Sequence, residues 1–133
     1  MTATLLAQSG QPAQNAPMAV SGKWNMTFVS PPGARSILDV KLEAKVLTGT
    51  LGGQPIQGEF VDGRIVFAVP DSWRVWRDQS IGNDDAKDMY TLVHFASLND
   101  ADTLAGWTDV FIRGYGPQAI KRMSWTAQRV KTE

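Results

Sequence analysis

Residues 38–69 read LDVKLEAKVLTGTLGGQPIQGEFVDGRIVFAV, and apolar and polar side chains alternate through most of this stretch. A period of two puts successive side chains on opposite faces of a strand, so the pattern predicts half-buried β-strands rather than helices. Gly52-Gly53 and Asp62-Gly63 interrupt the alternation, and an Asp-Gly pair between apolar runs is a strong hairpin signal. The stretch therefore predicts successive antiparallel strands joined by short turns.

The same period continues on both sides of this stretch. Trp24, Met26 and Phe28 alternate with polar residues before it, and further strands are predicted at residues 89–97, 103–113 and 119–131. Eight short-linked strands, each with one apolar face, are typical of a single all-β, antiparallel up-and-down β-barrel. A two-sheet antiparallel sandwich is the alternative that fits the same pattern.

One long connection, residues 70–88, follows the fifth predicted strand. It is too long for a hairpin turn, and connections of this length are usually functional or carry a short helix of their own. It contains two tryptophans and two arginines close together in sequence. The loop is therefore the first place to look for a specific activity.

Composition excludes several classes of protein. The 133 residues fit one domain, and 13 basic residues balance 13 acidic ones, which argues against a nucleic-acid partner. The chain has no cysteine and one histidine, so disulfides, thiol catalysis, zinc–thiolate centres and metal sites built mainly from imidazole are excluded. No apolar run approaches the roughly 20 residues that span a bilayer. We therefore predict no metal, no cofactor, no nucleic acid and no membrane partner.

Residues 1–20 differ from the rest of the chain, since they are rich in Ala, Gln and Pro and contain no charged or aromatic side chain. Such a segment is typical of a flexible arm preceding a barrel domain at residues 21–131. The tail of a secretory signal and a lid over the barrel mouth are the alternatives. Localisation stays open, because a chain without cysteine suits either the cytoplasm or the periplasm.

Short motifs carry a resemblance to a known family: SGKW at 21–24, LTGTL at 47–51, IQGEF at 56–60, LAGWT at 104–108 and SWTAQR at 124–129. Together they resemble small bacterial lipocalin-like (calycin-type) β-barrel domains, over roughly residues 20–131. In lipocalins the tryptophan of the Gly-x-Trp motif packs at the closed end of the barrel against a basic residue near the last strand. The resemblance implies that Trp24 and Arg129 form this pair here.

Alternation also assigns the faces of the strands. If Trp24, Met26 and Phe28 point into the barrel, the inward set on the next four strands is Leu38, Val40, Leu42, Leu47, Leu51, Ile56, Phe60, Ile65, Phe67 and Val69. Gly49, Gly58 and Gly106 also fall inward, where we expect them to leave space for a ligand. An empty lumen would favour ligand binding, and a filled one would favour a barrel that acts through its surface.

Two strands are ambiguous in register. Residues 89–97 place either Tyr90, Leu92 and His94 inward or Met89, Val93 and Phe95 inward; we adopt the first, which aligns Ala96 with the repeated small position. In residues 103–113, an inward set of Leu104, Thr108, Val110 and Ile112 leaves Trp107, Asp109, Phe111 and Arg113 outside. Outward Trp107 and Phe111 are costly unless the long loop or a second subunit covers them, so a homodimer is an open prediction.

The candidate catalytic residues are His94 and Tyr90. His94 is the only side chain that ordinarily titrates near neutrality, and beside Tyr90 in a lumen it is a candidate acid or base. Both also have a purely structural interpretation as wall residues. The candidate ligand-binding residues are Trp73, Arg74, Trp76 and Arg77, which we place at the rim of the cavity, together with Phe28, Phe67 and Met26 in the lumen. Tryptophan next to arginine suits stacking on a flat ligand and binding of a carboxylate.

The resulting functional prediction is binding of one small, largely apolar or aromatic molecule in the barrel lumen. A cofactor-independent cyclase, isomerase or lyase using His94 and Tyr90 is the first alternative. An accessory or assembly domain with a filled core is the second.

Overall fold

The fold is a closed eight-stranded antiparallel barrel, here described from a computed structural model in which residues 20–30, 32–79 and 89–130 are defined. The elements are β1 (Gly22–Ser30), β2 (Pro32–Glu43), β3 (Val46–Leu51), β4 (Gln54–Val61), β5 (Arg64–Ala68), α1 (Pro70–Arg77), β6 (Tyr90–Asp100), β7 (Thr103–Ile112) and β8 (Lys121–Arg129). Each strand pairs with its neighbour in sequence, and β8 pairs with β1 to close the barrel. The predicted up-and-down barrel is confirmed, and the sandwich alternative is wrong.

The barrel closes where the two outer strands of the sequence meet. Trp24 pairs with Arg129 across β1 and β8, and the backbone N–H of Val130 donates to the carbonyl of Lys23 at 2.8 Å. The guanidinium carbon of Arg129 lies 4.3 Å from the centre of the Trp24 ring, which is the contact that the resemblance implied. Trp24 Nε1 also donates to the carbonyl of Val20 at 3.0 Å, so the buried indole is fully satisfied at this lower end.

The inner core fills most of the barrel. Its buried members alternate along the strands as predicted, and the largest fully buried side chains include Trp24, Met26, Phe67 and Trp125. Val69 is the exception among the predicted inward residues: it lies beyond the end of β5 and is 37% exposed. It leaves the barrel wall because the chain turns outward there to begin α1, with Pro70 at its first turn.

The inward glycines do not leave space in the lumen, so that expectation is wrong. A Cβ on Gly106 would collide with the carbonyl oxygen of Phe95 and lie 2.8 Å from Cζ2 of Trp125. A Cβ on Gly58 would collide with the carbonyl oxygen of Val66 and lie 2.7 Å from the Cβ of Phe67. These glycines let neighbouring backbones and large rings approach closely, and the rings occupy the room that the missing side chains provide.

A second core lies on the outside of the barrel. Helix α1 packs against the outer faces of β5 and β6, burying Val66, Ala68, Trp73, Val75, Val93 and Phe111, with Trp76 and Phe95 half-buried at its edge. This second core explains the ambiguous register of β6. His94 and Ala96 face the inner core as predicted, while Val93 and Phe95 are covered as well, by the helix on the other face.

The predicted arm at residues 1–19 and the second half of the long loop, residues 80–88, lie outside the described residues. Val20, the last residue of the predicted arm, is buried against the inner core. No helix in the described part of the chain is long and apolar enough to cross a membrane.

Candidate functional site

The upper end of the barrel, opposite the Trp24–Arg129 pair, keeps inward-facing apolar side chains in contact with solvent. Leu92 and Tyr90 lie on the same face of β6 as His94, but they are 36% and 55% exposed. Phe28 and Leu51 are half-buried against the core on other strands. A barrel that is densely filled below therefore ends in an open apolar surface above. We call this surface, formed by Phe28, Leu51, Tyr90 and Leu92, the upper cup.

The ladder between β5 and β6 is short beside the upper cup. β5 pairs with β6 only through Ile65, Val66 and Phe67, whose partners are Ala96, Phe95 and His94. β6 continues above His94 up to Tyr90 and stays paired there with β7 alone, while β5 ends at Ala68. The β5–β6 ladder therefore ends at His94, and the part of β6 above it is paired on one side only.

His94 lies at the end of this ladder and forms the floor of the upper cup. Its Nδ1 lies 2.7 Å from Oγ1 of Thr108 on β7, and its ring centre lies 5.0 Å from that of Phe67. The side chain is 7% exposed, and burial lowers its pKa from the ordinary 6.5 to about 4. The imidazole is therefore neutral at pH 7. One ring nitrogen is occupied by Thr108, and the other has no hydrogen-bond partner within the described residues.

A second polar atom is unused close to this floor. Trp125 is 1% exposed, and its Nε1 has no hydrogen-bond partner within the described residues. Its ring contacts Phe67 edge-on, with the ring centres 6.4 Å apart. Phe67 thus contacts both His94 and Trp125.

The structure does not bring His94 and Tyr90 together as an acid–base pair. The two residues are four positions apart on one strand, about 13 Å along its axis at 3.3 Å per residue. Tyr90 is exposed at the rim, whereas His94 is buried at the floor. A single reacting atom therefore lies within reach of one of them at a time, and nothing in this geometry favours the enzyme alternative.

The predicted rim residues lie elsewhere. Trp73 is 6% exposed in the second core, and Trp76 contacts Phe95 edge-on at 5.6 Å between ring centres. Both belong to the outer wall and not to the mouth of the lumen, because the amphipathic face of α1 covers the outward side chains of β5 and β6. Arg74 is engaged with Asp71 and Asp78 on the same helix.

Met26 and Phe67 are almost completely buried in the inner core, so they support the floor of the upper cup from below. Among the predicted ligand-binding residues Phe28, Phe67 and Met26, Phe28 reaches the cup itself. Sequence reasoning missed Leu92 and Thr108 as site residues, although it placed both inward. The β6–β7 register could have identified them, because it pairs Thr108 with His94 and Leu92 with Val110.

A separate groove of about 900 Å³ runs along the outer wall between α1 and strands β4–β6. Its apolar surface comes mainly from Trp73, Trp76 and Phe95, and its charged side chains are Glu59, Asp62, Arg64 and Arg77. Two of the predicted ligand-binding tryptophans and one arginine therefore do line a cavity, although not the predicted one. We call it the outer groove.

The stripe that suggested a homodimer is covered within the chain. Phe111 is 4% exposed beneath α1, and the Trp107 ring stacks on Phe95 with 5.0 Å between ring centres. Asp109 receives two hydrogen bonds from Arg122, at 2.7 and 3.1 Å. The outward aromatic residues thus have partners without a second subunit, and the homodimer stays a prediction with no apolar stripe to motivate it.

Comparison with known proteins gives structural likeness only. No protein-family model matches the chain, and no curated protein matches it. A redesigned β-barrel, mFAP1, bound to DFHBI is 15% identical, with 86% of this chain and 99% of that chain covered and a TM-score of 0.44. EF1p2_mFAP2b bound to DFHBI is 16% identical, with coverages of 88% and 98% and a TM-score of 0.43.

A third solved structure comes from Nostoc punctiforme and is a protein of unknown function from the DUF3598 family. It is 12% identical, with 92% of this chain and 53% of that chain covered and a TM-score of 0.44. At these identities the likeness concerns the fold, which the strand pairing establishes by itself.

Proposed function

We propose that the protein binds one small, largely apolar or aromatic molecule at the upper cup. The observation that carries the proposal is the exposure of inward-facing Leu92 and Tyr90 directly above buried His94. Apolar side chains left together in contact with solvent are typical of binding surfaces. The β5–β6 ladder ends at His94, so the part of β6 that carries Leu92 and Tyr90 is paired on one side only. The two designed barrels similar in fold are described with a small molecule, DFHBI, bound.

The ligand carries one hydrogen-bonding group in this proposal. A neutral imidazole with one nitrogen fixed by Thr108 offers its other nitrogen to a partner. A ligand hydroxyl or carbonyl at the floor would satisfy that nitrogen, while the rest of the molecule lies against Leu92 and Phe28. Specificity would arise from this single polar contact, because leaving a buried polar atom unpaired costs about 1–3 kcal/mol.

We also propose that the chain is a lipocalin-like barrel. The support is the stacking of Arg129 on Trp24 at the closed end, together with the exposure of Tyr90 and Leu92 at the opposite end. The filled inner core restricts the ligand to the upper cup, so the volume available is smaller than that of a barrel with an empty lumen.

The test uses N-phenyl-1-naphthylamine, a neutral aromatic dye whose fluorescence rises in apolar surroundings, with native mass spectrometry to count bound molecules. Leu92→Glu places a carboxylate in the upper cup and should weaken binding there at least tenfold, with loss of one bound equivalent. Ile37→Glu is the matched control, since Ile37 is 43% exposed on the outer face of β2 and its substitution should leave binding unchanged. Equal dye affinity and equal stoichiometry for both variants would contradict the proposal.

A further inference from the structure

The outer groove combines aromatic surface with balanced charge. Its lining includes two arginines, Arg64 and Arg77, and two carboxylates, Glu59 and Asp62. None of the four forms an ion pair within the described part of the chain. The lining therefore carries two groups of each sign that are not paired with one another.

The aromatic residues of the groove form a connected series. The Trp76 ring meets Phe95 at an interplanar angle of 80°, and Phe95 stacks on Trp107 at an angle of 15°. The guanidinium carbons of Arg64 and Arg122 lie 5.3 and 5.0 Å from the centre of the Trp107 ring, so two cations lie at this end of the series. Trp76 and Phe95 are only half-buried, so α1 leaves part of the aromatic surface in the groove open.

Anchoring of α1 explains part of this arrangement but not the groove. Trp73 and Val75 bury one face of the helix in the second core, beside Phe111 of β7. The groove beside them measures about 900 Å³, within the range of about 300–1,000 Å³ that small-molecule sites occupy. Aromatic surface left open in a concave place of this size is the usual setting for a flat ligand.

We propose that the outer groove is a second binding site, independent of the upper cup, for one flat aromatic molecule without net charge. The ring of the ligand packs against Trp76 and Phe95. A singly charged ligand is attracted by the two side chains of opposite charge and repelled by the two of like charge. The balanced lining therefore favours a neutral ligand.

The test compares three ligands with the same ring system and different charge: 2-naphthol, 2-naphthoate and 2-naphthylmethylammonium. Their dissociation constants at pH 7 are measured by ligand-detected NMR, with the wild-type chain and with Leu92→Glu, which removes the upper cup. In Leu92→Glu, 2-naphthol should still bind and should bind more tightly than either ion. Loss of all binding in Leu92→Glu would contradict a binding site in the outer groove and would be consistent with a site at the upper cup. Unchanged stoichiometry in Leu92→Glu would instead contradict the upper cup.

Substitutions that change the charge of the groove in opposite directions should shift the ligand preference in opposite directions. Glu59→Gln leaves the lining with one excess positive charge and should shift the preference toward 2-naphthoate by about threefold. Arg77→Gln leaves one excess negative charge and should shift it by a similar factor toward 2-naphthylmethylammonium. The controls Asp39→Asn and Arg35→Gln change net charge equally on exposed positions of β2, away from the groove, and should not alter the preference. Equal shifts in the controls would overturn the proposal.

Discussion

Nδ1 of His94 lies 2.7 Å from Oγ1 of Thr108, across the β6–β7 pair and inside the barrel. The two residues are direct neighbours in register, so the hairpin that joins their strands fixes the contact. Burial lowers the pKa of His94 to about 4, so the imidazole in this hydrogen bond is neutral at pH 7.

Stability should fall as the pH is lowered from 7 to 5. In the unfolded chain the histidine takes up a proton near its ordinary pKa of 6.5, whereas in the folded barrel it does so only near 4. Protons therefore favour the unfolded state between these values, and the free energy of unfolding should drop by about 2 kcal/mol between pH 7 and pH 5. Urea unfolding at the two pH values measures this loss.

The matched variant for this experiment is His94→Gln, which keeps a side-chain hydrogen bond to Thr108 within reach and does not titrate. Its stability should change much less between pH 7 and pH 5 than that of the wild-type chain. If the free energy of unfolding falls equally with pH in the two proteins, His94 is not the group that causes the loss of stability.

Arg129 should be irreplaceable by lysine. Its Nη1 donates to the carbonyl of Ser21 at 2.9 Å, and its Nη2 donates to the carbonyl of Ala101 at 3.0 Å, while the guanidinium lies on Trp24. Lysine keeps the charge but loses the planar fork, so Arg129→Lys and Arg129→Ala should each cost about 2 kcal/mol in thermal or urea unfolding. Arg35→Ala, at an exposed position of β2, should stay within about 0.5 kcal/mol. Full rescue by lysine would show that charge alone matters.

Gly106→Ala should be strongly destabilising although it adds one methyl group. The new Cβ would collide with the carbonyl oxygen of Phe95 on the neighbouring strand, which cannot move without breaking the ladder. We expect a loss of about 3 kcal/mol in the free energy of unfolding, at the upper end for overpacked cores. Thr126→Ala, on the exposed face of β8, is the control. A Gly106→Ala protein as stable as this control would mean that the strands have room to separate.

Trp73→Ala should release α1 without unfolding the barrel. Trp73 is 6% exposed and packs against the outside of β5 and β6, away from the inner core. Hydrogen exchange should therefore accelerate in the backbone amides of α1, including that of Asp78, which bonds to the carbonyl of Arg74. Amides of β1–β3 should keep their protection. Arg77→Ala, on the exposed side of the helix, should change neither region, and uniform acceleration after Trp73→Ala would contradict two separate cores.

The barrel was predictable because its strands keep strict alternation. On β1 and β2, inward and outward residues differ sharply in polarity, so the period alone assigns the faces, from Trp24 to Leu42. On β6 the period fails, because α1 buries Val93 and Phe95 on the outer face while His94 and Ala96 face the inner core. A strand covered on both sides carries apolar residues at every position, and periodicity then contains no information about which face is the inner one.

The position of the tryptophans could not be predicted for a related reason. A sequence shows that Trp73 and Trp76 belong to a long loop, but not whether that loop folds over the mouth or along the wall. The outward Trp107 and Phe111 indicated that another element packs on the outer face of the barrel. The space expected at Gly58 and Gly106 was misjudged because a glycine in a strand admits a neighbour's ring as readily as a ligand.

The hydrogen bond from Val130 to Lys23 places the start of the first strand next to the end of the last. The cyclic order of the eight strands therefore has no intrinsic beginning. A circular permutant that joins the segment after β8 to the segment before β1, and opens the chain at the exposed Asp62-Gly63 turn, should rebuild the same barrel. Such a permutant would bring new ends to the foot of the outer groove while leaving the upper cup untouched.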